Sequence, residues 1–222
     1  MDKLFPFQFT DTDTDTDTPS TLELPKDAKT EEDDTRTIQL EGSVDRESSM
    51  KVIYQMLTFA NRSDEPIHLQ IFSPGGCVIS GLAIIDTMRH IKPPVFTYAI
   101  GFAASMGAVI LAAGEKNHRY VLPSTSIMIH QPRGIAFGKM EDLRSTIEFQ
   151  NRLEKMLTQV LSEATGKSHR ALRRAVKADN WMSARKAMKF GLVDHILDRF
   201  GHKLTGGELR KEKKGKEKKE AK

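Results

Sequence analysis

Gly101-Phe-Ala-Ala-Ser-Met-Gly-Ala-Val-Ile-Leu-Ala-Ala-Gly114 is the stretch whose reading decides the fold. The run before it, Val95 to Ile100, is apolar enough for a buried strand, and the stretch itself passes through Gly101 and small residues into a run suited to a closely packed helix. Ser105 then sits where strand turns into helix. A hydroxyl at the tip of such a turn lies beside the free N–H groups of the helix start, which favour negative charge on a nearby oxygen. That is the physics of a nucleophile elbow, although the G-x-S-x-G form of the turn is absent. The other reading is that Gly101, Ala104, Gly107 and Ala112 only let two elements approach closely, with Ser105 a satisfied core hydroxyl.

Working outward, the same alternation of strand and helix recurs. Thr37-Ile-Gln-Leu40 reads as a short strand, followed by a helix with Val52, Ile53, Met56, Leu57 and Ala60 on one face. A second strand, Ile67 to Phe72, ends in Ser73-Pro-Gly-Gly76, and a helix carrying Ile79, Leu82, Ile85 and Met88 is stopped by Pro93-Pro94. Strands about every 30 residues with helices between them make βα units, whose crossovers are right-handed and whose sheet is largely parallel. Beyond Gly114, Tyr120 to Leu122 and Ser126 to His130 read as short β segments. Leu143, Ile147, Leu153, Leu157, Val160 and Leu161 then mark a helix over 139–165, long enough to project and pack on a partner subunit. Ser168 and Ser183 are candidate caps of two further helices, the second ending at Gly191.

Charge is concentrated at the ends. Residues 1–34 hold 11 acids against 3 bases and include the tract Asp11-Thr-Asp-Thr-Asp-Thr-Asp-Thr18, whereas 203–222 hold 9 bases against 4 acids. These compositions predict a disordered acidic arm over 1–36, an ordered domain over 37–202 and a Lys/Glu-rich tail over 203–222. The Asp/Thr tract lacks the Gly and terminal Glu of a calcium loop, so no metal is expected there. No aromatic-interleaved basic stripe accompanies the pI of about 9.1, so nucleic acid is not an expected partner. Cys77 is the single cysteine, no apolar run reaches the length of a bilayer span and no secretory signal opens the chain, so a cytoplasmic protein is expected.

Acyl transfer needs a nucleophile, a base, an acid that orients the base, and donors for the oxyanion. Ser105 is the candidate nucleophile. His130 closes the apolar run Ile127-Met-Ile-His130 just before a proline-containing break, where its ring can face a cleft or simply be structural. His195, beside Asp194, competes for the role but looks like part of a strand. Asp179, ahead of Trp181-Met182, is either the acid or an ordinary helix-end carboxylate. Gly75-Gly76 and the N–H of Met106 offer oxyanion donors, unless Ser-Pro-Gly-Gly is a plain turn.

Together, Ser73-Pro-Gly-Gly76, Asp86-Thr-Met88, Gly101-x-Ala-Ala-Ser-Met-Gly107, Met128-Ile-His-Gln-Pro132, Asp179-x-x-Met-Ser-Ala184 and Gly191-Leu-Val-Asp194 resemble the proteolytic subunit of the ATP-dependent Clp protease over about Arg36 to Phe200. The resemblance implies an α/β crotonase-like superhelix of βαβ units with a projecting handle helix. It implies Ser105 as nucleophile, His130 as base, Asp179 as acid, and Gly76 and Met106 as oxyanion donors, with neither metal nor cofactor. It further implies a serine endopeptidase that degrades unfolded polypeptides inside two stacked seven-membered rings, fed by a Clp-type ATPase, with Gly134 lining the substrate path. Positions resembling the ATPase-docking pocket are His68, Gln70, Tyr98, Tyr120, Leu122 and Leu197. The departures are the Asp/Thr tract in place of the family's axial-loop segment, Ala178 where Arg commonly precedes the acid, and polar His68 and Gln70 where aromatics are usual. An ATPase-independent peptidase, or a weakly active ring subunit assembling with a standard paralogue, are the alternatives.

Overall fold

A computed structural model of the chain describes residues 36–133, 138–198 and 203. The acidic arm and most of the basic tail therefore lie outside the described residues. Strands β1 (Thr37–Val44), β2 (Ile67–Gly76), β3 (Val95–Ala104), β4 (Arg119–Val121), β5 (Ser126–Ile129), β6 (Asn180–Ser183) and β7 (His195–Ile196) form one sheet. β1-β2-β3-β4-β7 run parallel in that order. β5 pairs parallel with the end of β3, and β6 pairs antiparallel with β5. The chain thus has the mixed α/β, mainly parallel architecture of the crotonase-like fold.

Two strands run further than expected. β2 does not stop at Phe72 but continues through Ser73-Pro-Gly-Gly76, pairing Gly76 with Val44 of β1 after a shift of register between Glu41 and Ser43, and shifting against β3 between Ile71 and Ser73. Pro74 has no N–H to give the ladder, and the irregularity absorbs that loss. β3 runs on to Ala104 and is shared: Thr97–Ala99 pair with β4, whereas Phe102–Ala104 pair with β5. Gly101, at φ +67°, lies between the two halves.

Side chains alternate along β2 and β3. Ile67, Leu69, Ile71, Val95, Thr97 and Ala99 are buried, while the intervening His68, Gln70, Phe96 and Tyr98 are only half-buried, the pattern of a sheet with one face in the core. The helices α1 (Arg46–Arg62), α2 (Val78–His90) and α3 (Met106–Ala112) help to form that core. α1 begins with a reciprocal cap, the Asp45 carboxylate accepting from the Ser48 N–H at 2.8 Å and the Ser48 hydroxyl accepting from the Asp45 N–H at 3.0 Å. Its buried side is Ser49, Val52 and Met56, at i, i+3 and i+7, so Leu57, one residue round from Met56, is exposed and not part of the expected face. In α2, Ile79 likewise points outward and Gly81 faces inward; a Cβ on Gly81 would meet Met106 Cγ at 2.2 Å, so the missing side chain lets α2 close on the start of α3.

The long helix α4 (Met140–Thr165) is 26 residues, about 39 Å at 1.5 Å per residue. Its buried residues are Leu157, Thr158, Val160 and Leu161, all in the last three turns. Ile147, expected in the apolar stripe, is exposed along with Met140 and Phe149, so the first half of α4 stands clear of the chain's own core. α4 ends at Gly166, in the left-handed region at φ +67°. Two short helices, α5 (His169–Ala175, capped by Ser168) and α6 (Ala184–Phe190), flank β6.

Candidate active site

One pattern of strand pairing assembles the site. β3 and β5 pair up to Ala104 with Met128, and β5 and β6 up to Ile129 with Asn180. One step beyond these last pairs lie Ser105 on β3, His130 on β5 and, because β6 runs antiparallel, Asp179 on β6. Residues 25 and 49 positions apart therefore meet at one end of the sheet. His130 Nε2 is 2.8 Å from Ser105 Oγ, and His130 Nδ1 is 3.1 Å from Asp179 Oδ1. A carboxylate can only accept, so Nδ1–H donates to Asp179, which leaves Nε2 as the acceptor for the Ser105 hydroxyl. That tautomer is the one a general base needs.

Ser105 is held under strain. Its φ of +53° with ψ −121° is a conformation that residues with side chains seldom adopt, and it costs on the order of 1–3 kcal/mol. The Ser105 N–H donates to the Met128 carbonyl at 2.8 Å, and the Ser105 carbonyl accepts from Ala108 and Val109 in the first turn of α3. The peptide after Ser105 is pressed against Gly75, at φ +90°, where a Cβ would lie 2.6 Å from Ser105 Cβ and 2.7 Å from Met106 N. The extension of β2 is thus what brings the glycine pair to the serine. Gly75 N–H is committed to Ser73 Oγ at 3.1 Å, and Cys77 N–H donates to the Val44 carbonyl at 2.7 Å. Met106 is the first residue of α3, where an amide has no acceptor within its own helix. Gly76, next to Gly75, and Met106, next to Ser105, are thereby brought to the same turn.

Electrostatics centre on Asp179. Partial burial pushes its carboxyl up, but the hydrogen bond from His130 and the charge and hydrogen bond of Arg133 outweigh it, and the carboxyl is held below its usual range. Arg133 Nη2 lies 2.9 Å from Oδ1 and 3.2 Å from Oδ2. Nothing in the sequence announced Arg133, since its contact spans 46 positions and exists only once β5 and β6 are paired. Beside Ser105 and His130 a largely apolar cavity is lined by Val109, Ile129, Leu157, Leu161, Leu172 and Val176. A second groove runs past Gly76, Cys77, Pro132 and Arg133. Gly134 lies outside the described residues.

The other sequence candidates fall elsewhere. His195 is hydrogen-bonded through Nε2 to the Asn117 carbonyl at 3.0 Å and stacks on Tyr120, so it is not part of the Ser105 relay. Gln70, Tyr98, Tyr120 and His195 are successive partners across β2, β3, β4 and β7, and His68 lies on the same face of β2. Tyr98 and Tyr120 stack at 4.8 Å. His68 Nδ1 meets the Tyr98 hydroxyl at 2.8 Å, so that nitrogen is paired. Burial, then Arg36, pushes the His68 ring down from its ordinary value, and burial with Tyr120 pushes Tyr98 up to about 12. Leu122 and Leu197 follow β4 and β7 directly and are half-buried. Phe96 and His118, stacked at 3.9 Å, extend this surface and were missed; the strict alternation of β3 was the signal that would have found Phe96. Among the described residues no group of three or more His, Cys, Asp or Glu is arranged to hold a metal, and no helix is long and apolar enough to cross a membrane. A scan against protein families matches the Clp protease model to residues 26–200.

Proposed function

The chain belongs to the Clp protease family, and on that premise we propose that this peptidase is a serine endopeptidase with Ser105 as nucleophile, His130 as general base and Asp179 as the orienting acid. The observation that carries the reading is the unbroken relay from Ser105 Oγ through both nitrogens of His130 to Asp179. Ser105 Oγ attacks the scissile carbonyl while His130 Nε2 takes its proton. The C–N bond then breaks, and His130 returns the proton to the leaving amine. Water repeats the sequence on the acyl-enzyme, again activated by His130. Asp179 keeps Nδ1 protonated and steadies the imidazolium. The N–H groups of Gly76 and Met106 receive the oxyanion.

The apolar cavity beside Ser105 suits the side chain that precedes the scissile bond, and the groove past Gly76 and Pro132 suits the adjoining extended backbone. Such a site accepts flexible chain and not folded protein. The family supports a protease that oligomerises and works with Clp ATPases; we propose that the exposed first half of α4 joins two seven-membered rings into a closed chamber. The row containing His68, Gln70, Tyr98, Tyr120, Leu122 and Leu197 is the docking surface for an ATPase loop. The protein needs no cofactor of its own in this scheme.

The test is a comparison of the parent with Ser105→Ala, using short fluorogenic peptides, casein with and without a Clp ATPase, and a fluorophosphonate label. Cleavage should fall by on the order of 10⁶-fold and labelling should vanish, with the oligomer mass unchanged. Full labelling of Ser105→Ala would sink the assignment.

A further inference from the structure

We infer that Arg133 is a positioning residue of this site: it clamps the Asp179 carboxylate from the solvent side, fixing its angle to His130 and offsetting its charge. The inference rests on the reading of Ser105, His130 and Asp179 as the working relay. Arg133 stands three residues after His130, with Pro132 stiffening the connection. Its Nη2 reaches both oxygens of Asp179, at 2.9 and 3.2 Å, and the nearer one, Oδ1, also accepts from His130 Nδ1. A carboxylate has lone pairs enough for both donors, so the arginine does not displace the histidine. It fixes a carboxylate that stands just before β6, one residue ahead of the last pair, Ile129 with Asn180. The neighbouring Ala178 offers no charge of its own.

Two consequences follow from the chemistry. A cation on Asp179 offsets part of the carboxylate charge that an imidazolium would feel. The same cation favours ionised Asp179, in accord with the low carboxyl. Other charges nearby are Glu154 of α4, which lines the cavity with His130, and Lys177, two positions before Asp179; Cys77 lines the groove with Arg133. The side chains of Arg133 and Asp179 are 75% and 42% exposed, so salt reaches the pair and screens it.

The experiment compares the full-length parent, Arg133→Gln and Arg133→Lys. Arg133→Gln should move the acid limb of the pH–cleavage profile upward by roughly 0.3–1 unit. Arg133→Lys should keep the midpoint near the parent's, because an ammonium at that place retains the positive charge beside Asp179. Raising the salt from about 0.1 to about 1 M should move the parent's midpoint toward that of Arg133→Gln and leave Arg133→Gln almost still. The deciding measurement is the Asp179 carboxyl titration by NMR, made in Ser105→Ala with and without Arg133→Gln. An upward shift supports the clamp, and superimposed titrations overturn it. Since that titration needs no turnover, it stands or falls apart from the assignment of Ser105, which the fluorophosphonate label tests separately.

Discussion

Gly75 is the residue on which the serine turn closes. A methyl group there has no room, with Ser105 Cβ, the Ala104 carbonyl and Met106 N all within 2.7 Å, and φ +90° is already unfavourable for alanine. Gly75→Ala should therefore shift the Ser105 peptide, lowering fluorophosphonate labelling about 100-fold, as a displacement of roughly 1 Å does in a preorganised site. It should also destabilise the fold by about 1–3 kcal/mol, read as a lower melting temperature; labelling at the parent's rate would show that the turn tolerates the shift. Asp179→Asn tests a different property. The amide accepts or donates and no longer dictates which nitrogen of His130 is protonated, so kcat should fall by about 10⁴-fold with the melting temperature little changed. A loss under tenfold would mean that Asp179 does not set the tautomer.

At the level of elements, α4 has two characters in one helix. Leu157, Val160 and Leu161 anchor its end in the core, while Met140, Ile147 and Phe149 are exposed apolar residues near its start. Ile147→Glu should leave the melting of the protomer within about 0.5 kcal/mol, as surface changes do, but reduce the assembled mass by native mass spectrometry. An unchanged mass would exclude this half of α4 from the ring contact. The order of strands and helices up to α5 was legible because each apolar run keeps its period, as was the cap at Ser168, whereas β6 was not foreseen as a strand and Ser183, at the start of α6, makes no capping hydrogen bond. What misled was composition that normally punctuates. Ser73-Pro-Gly-Gly76 and Gly101 read as breaks, yet both stretches are strand, because pairing with β1 and β5 overrides local preference. The face of α1 was read one residue too far round at Leu57, since periodicity alone does not fix which of two adjacent apolar residues meets the sheet. Ser105 and His130 were visible as residue types beside strand ends and Asp179 as a carboxylate ahead of Trp181-Met182, whereas Arg133 was not, for its partner is settled only by tertiary register.

Across the whole molecule, Arg119 and Asp194 act as an internal clip. Arg119 gives two hydrogen bonds to the Asp194 carboxylate, at 2.6 and 2.8 Å, and reaches the carbonyls of Ala112 and Ala164 at the ends of α3 and α4. Burial pushes the Asp194 carboxyl up, but the hydrogen bonds and charge of Arg119 bring it below its usual range. A carboxyl lowered in the folded state stabilises above its unfolded value and loses that contribution as pH falls through the folded one. Stability should thus hold down to about pH 4 and fall below it, while Asp194→Asn should cost about 3–5 kcal/mol near neutrality by stranding a buried guanidinium; urea melts across pH measure both, and a flat acid profile would exclude the clip. The antiparallel seam of β5 and β6 has a further consequence, in the history of the chain. Ser105 and His130 lie in its first 130 residues, but Asp179 arrives only when β6 docks, and a slip of one residue there turns its side chains to the wrong face. On the proposed roles of His130 and Asp179, the base should be left unoriented until β6 has paired with β5. Trp181, the single tryptophan, sits in β6 opposite Met128 and reports that moment. In refolding, reactivity toward the fluorophosphonate should appear with the Trp181 signal and never before it, and early labelling would show that the chain is armed from the start.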